Sequence, residues 1–147
     1  MSRRTLLITI ISVLLLSSCS YRYDFVVVNK SEGPIQVQYT LKRQASGQFA
    51  DVNPPAKLTL LEFQRSKHEW RSLPRGEYSW DNSTATFSIS VASNEVLLVD
   101  STGGGEDEFA LDNIKITGSK GSMDLEGKPA YTQFKYESDQ KYVLEYR

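Results

Sequence analysis

Ile35-Gln36-Val37-Gln38-Tyr39-Thr40-Leu41-Lys42 is the stretch whose reading decides the fold. Successive side chains of an extended strand point to opposite faces, so Ile35, Val37, Tyr39 and Leu41 share one face and Gln36, Gln38, Thr40 and Lys42 the other. The stretch is therefore a strand with one face on a core and one in water. Upstream, Tyr23 to Asn29 (YDFVVVN) is rich in β-branched residues and reads as a second strand. Gly33-Pro34 breaks the chain between them, and the pair is expected to form an N-terminal hairpin.

Downstream the same alternation recurs at short intervals. Residues 44 to 55 carry Gly47 and Pro54-Pro55 and read as a loop. Ala56 to Phe63 resumes strand character, with a parity slip between Leu60 and Leu61 that indicates a bulge or burial on both faces. Lys67 to Leu73 is a further expected strand. Phe87, Ile89 and Val91 share a face, and Val96 to Val99 is a continuous apolar run suited to a strand deep in the core. After the Ser101 to Glu108 loop come Phe109 to Thr117, Ser122 to Glu126, Tyr131 to Tyr136 and Tyr142 to Tyr146. Pairing Tyr136 with Tyr142 and Phe134 with Leu144 keeps the aromatic residues on one face, whereas a slip of one residue would set Tyr136 against Lys141.

About eight or nine short strands, with no helix-period segment after the first residues, predict an all-β chain: an antiparallel β-sandwich, immunoglobulin-like or a related Greek key. A closed β-barrel is the alternative. Gly76-Glu77-Tyr78, entering a strand after Pro74, resembles the tyrosine corner of Greek-key sandwiches, in which a Tyr hydroxyl bonds back to nearby backbone.

The first residues have another character. Arg3 and Arg4 precede an apolar run from Leu6 to Leu16, followed by small Ser17 and Ser18, the layout of a signal peptide. As a helix the run would span only about 16 Å, roughly half of a bilayer's hydrocarbon core. Leu16-Ser17-Ser18-Cys19 resembles the lipobox of bacterial lipoproteins. That resemblance implies cleavage before Cys19 after a diacylglycerol thioether has formed on its sulfur, with Leu16, Ser17 and Ser18 as the peptidase recognition residues. The expected organisation is a signal peptide over 1–18 forming an N-terminal helix, a lipidated tether over 19–22 and a single β-sandwich domain over 23–147. Two or three acyl chains hold a protein durably, where one is marginal. Ser20, rather than Asp, follows the cysteine; within the resemblance this favours the outer membrane over the inner, and the lack of an acidic run just after Cys19 favours the periplasm-facing leaflet. The tether is short, about 14 Å fully extended from Cys19 to Tyr23, so the domain is expected to sit on the membrane surface.

Composition narrows the chemistry. Of 147 residues, 17 are Lys or Arg and 18 are Asp or Glu, and removing Arg3 and Arg4 with the leader leaves a weakly acidic domain. That balance lacks the electrostatic footprint of a nucleic-acid binder. The one cysteine, Cys19, is expected from the lipobox resemblance to be a thioether, and so neither nucleophile nor thiolate ligand. The one histidine, His68, would have to serve any Ser-His-Asp or histidine-metal site; no motif surrounds it, and it reads as an exposed strand residue. No cofactor is expected beyond the covalent lipid. The chain is expected not to be an enzyme, a small carboxylate-dependent hydrolase being a distant alternative because two acids alone can serve glycosidase chemistry.

Three candidate binding features remain. Trp70 and Trp80 could stack on sugar rings, which makes a glycan-binding module of the envelope the main alternative to an assembly or protein-binding role. Glu106, Asp107 and Glu108, after Gly103-Gly104-Gly105, offer hard oxygen ligands for calcium or a basic partner, but lack the alternating spacing of an EF-hand. Arg65, Lys67, Arg71 and Arg75 make a basic stretch around Trp70 that could face anionic headgroups. The expected partners are membrane lipid through the acyl anchor, together with an envelope protein or glycan.

Overall fold

The computed structural model describes residues 21–43, 46–48, 55–65, 68–103, 108–125 and 130–147. Eleven strands are present among them, more than the eight or nine expected, because several are only two to four residues long. They are β1 (Tyr23–Asn29), β2 (Ile35–Leu41), β3 (Ala56–Thr59), β4 (Arg71–Ser72), β5 (Tyr78–Asp81), β6 (Thr86–Val91), β7 (Glu95–Thr102), β8 (Leu111–Gly118), β9 (Gly121–Asp124), β10 (Lys135–Glu137) and β11 (Lys141–Tyr146). Two sheets stack as a β-sandwich. One runs β10-β11-β1-β7-β3-β4 and the other β5-β6-β2-β8-β9, and they do not close into a barrel.

The strand that decided the fold behaves as its pattern requires. β2 alternates buried and wet along its length and lies between β6 and β8, facing Val91, Ile89 and Phe87 on one side and Ile116 and Ile114 on the other. Its inward residues join Phe25, Val27, Leu97, Val99 and Leu144 from the facing sheet in the main core. Side chains from two inner faces interdigitating in this way are what drive a sandwich together.

β1 and β2 do not form the expected hairpin. Asn29, fully buried at the end of β1, donates from Nδ2 to the carbonyls of Gly33 and Val91, both at 2.9 Å, and accepts at Oδ1 from the Ser31 amide and hydroxyl. This knot satisfies the polar groups of the 30–34 loop while it carries the chain from one sheet to the other. β1 instead inserts between β7, antiparallel, and β11, parallel, with Phe25 opposite Tyr142 and Val27 opposite Leu144 in the parallel pair. Burial on both faces explains the unbroken Val26-Val27-Val28 run.

The second face of that sheet is covered by a smaller cluster of Val26, Val28, Leu58, Phe63, Val96 and Val143. Its lid begins with α1 (Leu60–Phe63), a single turn whose capping box is complete: the Thr59 hydroxyl accepts from the Glu62 amide at 3.2 Å, and Glu62 accepts from the Thr59 amide at 2.9 Å. The parity slip at Leu60 and Leu61 is thus the change from strand to helix and not a bulge. The expected strand over 67–73 reduces to β4, since the preceding residues 68–70 cross the sheet as cover.

At the far margin Tyr136 stands opposite Tyr142, the register expected from the aromatic pattern. The stretch before it is a 3-10 turn, Ala130–Gln133, so the expected 131–136 strand begins only at Lys135. The hydroxyl that ties a late strand to distant backbone belongs to Tyr146, which donates to the Gly121 carbonyl at 2.9 Å. Its ring lies so close over β8 that a Cβ at position 118 would come within 2.8 Å of it, which is why Gly118 stands there. Tyr78 packs on Phe87 instead, with ring centroids 5.6 Å apart.

Candidate functional site

Leu16, Ser17, Ser18 and Cys19 lie outside the described residues, but the chain leading from them enters at one corner of the sandwich. Tyr21 and Arg22 precede β1, and the Arg22 guanidinium donates to the Ser101 carbonyl at 3.3 Å, fastening the entry to the end of β7. Tyr23 then packs edge-on against Tyr142 and Tyr136, with centroids 5.7 and 6.4 Å apart. Deeper in, the Phe25 ring stacks on Tyr142 at 4.7 Å and 9° and touches Phe109, Tyr131 and Phe134. The approach to the domain is therefore an aromatic cluster, buried at Phe25 and open to water at Tyr136.

Trp70 lies just before β4, over the outer face of the six-stranded sheet, and Trp80 is on the five-stranded sheet. Trp70 belongs to the outer lid: it is half-buried, its indole N–H donates to Asp24 Oδ2 at 2.9 Å, and its ring lies 6.0 Å from Phe63 and 5.3 Å from His68. With its polar tip bonded and one side of its ring packed, this indole is a fastener for β1. Trp80 is on the edge strand β5, opposite Phe87, with centroids 4.4 Å apart, and is 38% exposed. Of the two it is the one that offers a ring face to solvent. His68 is half-buried in the lid and outside any strand, where its ring serves as packing.

Among the acidic-loop residues, Glu108 is exposed and accepts a hydrogen bond from the Thr102 hydroxyl at 3.0 Å, while Glu106 and Asp107 lie outside the described residues. Within the described residues no group of three His, Cys, Asp or Glu side chains could hold a metal ion. Arg65, Arg71 and Arg75 are exposed, with Arg71 on β4 at the margin of the six-stranded sheet away from β10; Lys67 is outside the described residues.

Two buried polar groups were not singled out by the sequence. Tyr39 is 1% exposed, and its hydroxyl has no hydrogen-bond partner among the described residues. Burial, then the nearby Asp100 carboxylate and Tyr78, hold its phenol strongly protonated. Asp100 accepts from the Ala110 amide at 2.9 Å and the Ser101 amide at 2.8 Å, fixing the start of β8 against the end of β7. Burial outweighs those bonds and raises its carboxyl above the usual aspartate value.

The sign of the Asp100 effect follows directly. A raised carboxyl favours the folded state most when protonated, so its contribution is largest below the usual aspartate value and is lost as pH rises through the folded one. Relative to Asp100→Asn, the wild-type protein should gain stability as pH falls from 7 towards 4. Urea midpoints of both proteins across that range check this, and a constant difference would contradict it.

A hollow of about 190 Å³ lies between α1 and the β10–β11 hairpin, with Lys30, Lys141, Glu137 and Glu145 on its walls. Three of its charges are engaged: Lys30 pairs with Glu145, and Lys141 donates to the Phe63 carbonyl at 3.0 Å. No described helix is long and apolar enough to cross a membrane. Compared with known proteins, the chain matches no family model, no curated protein and no solved structure.

Proposed function

We propose that this protein is a membrane-anchored lipoprotein of the bacterial cell envelope, whose β-sandwich is a non-catalytic binding or assembly module. The observation that carries the reading is Leu16-Ser17-Ser18-Cys19, a lipobox-like sequence holding the only cysteine at the end of a short apolar run. β1 starts at Tyr23, leaving almost no spacer between Cys19 and a folded strand, so an anchor on Cys19 would hold the domain close to the membrane. Ser20 after the cysteine favours the outer membrane. Labelling with a radioactive fatty acid tests the reading, because label must appear on the wild-type protein and be lost with Cys19→Ser.

A second reading, glycan binding, is favoured by Trp80, a rigid ring exposed on an edge strand beside Phe87. Trp80→Ala should abolish retention on immobilised envelope glycan, whereas Trp70→Phe should leave it intact. Failure of the wild-type protein to be retained by any envelope glycan would end that reading.

A further inference from the structure

Tyrosines gather where the tether enters. Tyr21 is 63% exposed and Tyr136 is 59% exposed; among the described large apolar side chains only Leu61, alone on α1 at 69%, is more open. Between them stand Tyr23 and Tyr142, half-buried, with the Tyr136 ring 5.3 Å from that of Tyr142. These rings are grouped beside the tether and not scattered over the surface, and Tyr136 stands just before the polar turn Ser138-Asp139-Gln140 that joins β10 to β11. Cys19 is two residues before Tyr21, so chain geometry confines its Cα to within about 7 Å of that residue's Cα.

We propose that this tyrosine corner is the surface with which the domain docks on a lipid bilayer, its phenol rings lying at the level of the headgroups. The inference rests on anchoring through Cys19, which would hold this end of the sandwich, and not the β8–β9 turn, against the membrane. Tyrosine suits the position because its ring is apolar and its hydroxyl needs water, the combination that places such residues at membrane interfaces. Charge is not the attraction. Arg22, Lys42, Arg43 and Lys135 at this end are matched by Asp24, Glu108, Glu137 and Asp139, so neither sign prevails. Docking should therefore survive salt that screens headgroup attraction.

The test uses the acylated protein in vesicles of phosphatidylethanolamine and phosphatidylglycerol. With the Cys19 sulfur acylated, Ser138→Cys and Lys120→Cys each provide one free thiol for a nitroxide. The first site is in the turn beside Tyr136, and the second is in the β8–β9 turn at the far end of the sandwich. Collisions with oxygen, which enters the bilayer, and with a nickel chelate, which does not, report the depth of each label. The oxygen-to-nickel ratio should be severalfold higher at 138 than at 120 and persist in molar salt. Adding Tyr21→Ser and Tyr136→Ser should bring the two sites together. Equal ratios on acylated protein, or a difference erased by salt, would overturn docking through the tyrosines while leaving the anchor standing. Absence of acyl mass on Cys19 would overturn the anchor, and the docking with it.

Discussion

Cys19→Ser is expected to give a protein with no acyl label that accumulates at the size of the uncleaved precursor. The hydroxyl of serine is a far poorer nucleophile than a thiol for forming the lipid linkage, and processing at a lipobox awaits that linkage. The effect is large because the anchor is additive in methylenes: at ~0.8 kcal/mol per buried CH₂, even one chain gives measurable binding, and two or three give a durable hold. What remains in the variant is the Leu6 to Leu16 run, only about half of a bilayer's thickness as a helix. The readouts are fatty-acid labelling, precursor size and distribution between membrane and soluble fractions. A variant processed at the same position, and found in the same membrane fraction, would end the lipoprotein reading.

Phe25→Ala should be the most damaging single change in the folded domain. Phe25 is fully buried and its ring touches those of Phe109, Tyr131, Phe134 and Tyr142, which come from three separate stretches of chain. Truncating a buried Phe to Ala typically costs ~3–5 kcal/mol, because the cavity adds to the lost transfer energy. Set against a usual domain stability of ~5–15 kcal/mol, that leaves little margin. Urea denaturation should show the midpoint collapsing, whereas Tyr136→Ala, on the same side of the sandwich but exposed, should cost about 1 kcal/mol or less. A loss below about 1 kcal/mol for Phe25→Ala would mean that the cluster closes over the gap and does not organise the corner.

Residues with period-two burial were the legible part of this fold. β2 announces itself because every second side chain is apolar, and the Tyr136–Tyr142 register because a slip to a four-residue loop would set Tyr136 against Lys141 and break the aromatic face. The sandwich follows from many such strands. What stayed hidden was how strands from distant parts of the chain combine. YDFVVVN says that β1 is buried on both faces, but not that its parallel neighbour is β11. The sequence did carry one signal that the strand reading passed over: Thr59-Leu60-Leu61-Glu62 has the spacing of a capping box, and in the structure it starts α1. The 3-10 turn before β10 has no comparable signature, since its residues Ala130-Tyr131-Thr132-Gln133 would be as acceptable in a strand.

The candidate sites were legible to different degrees. The proposed lipobox, Leu16 to Cys19, rests on residue order alone and lies outside the described residues. Trp70 and Trp80 cannot be told apart that way: their difference lies in Asp24, which bonds one indole from β1, and in the edge position of the other. The tyrosine corner was invisible for the same reason. Tyr21, Tyr23, Tyr136 and Tyr142 become neighbours only when the last hairpin is laid beside the first strand.

That arrangement sets an order of events for a chain delivered N-terminus first. β1 emerges early, yet it occupies an inner position in its sheet, flanked by β7 and by β11 near the other end of the described residues. Its Phe25-Val26-Val27-Val28 core has no permanent partner on the β11 side until nearly all of the strands have arrived. Contacts so far apart in sequence make folding slow, and an apolar strand kept waiting is open to wrong pairing with other chains. Shielding this strand during synthesis would raise the yield of folded protein without touching its final stability.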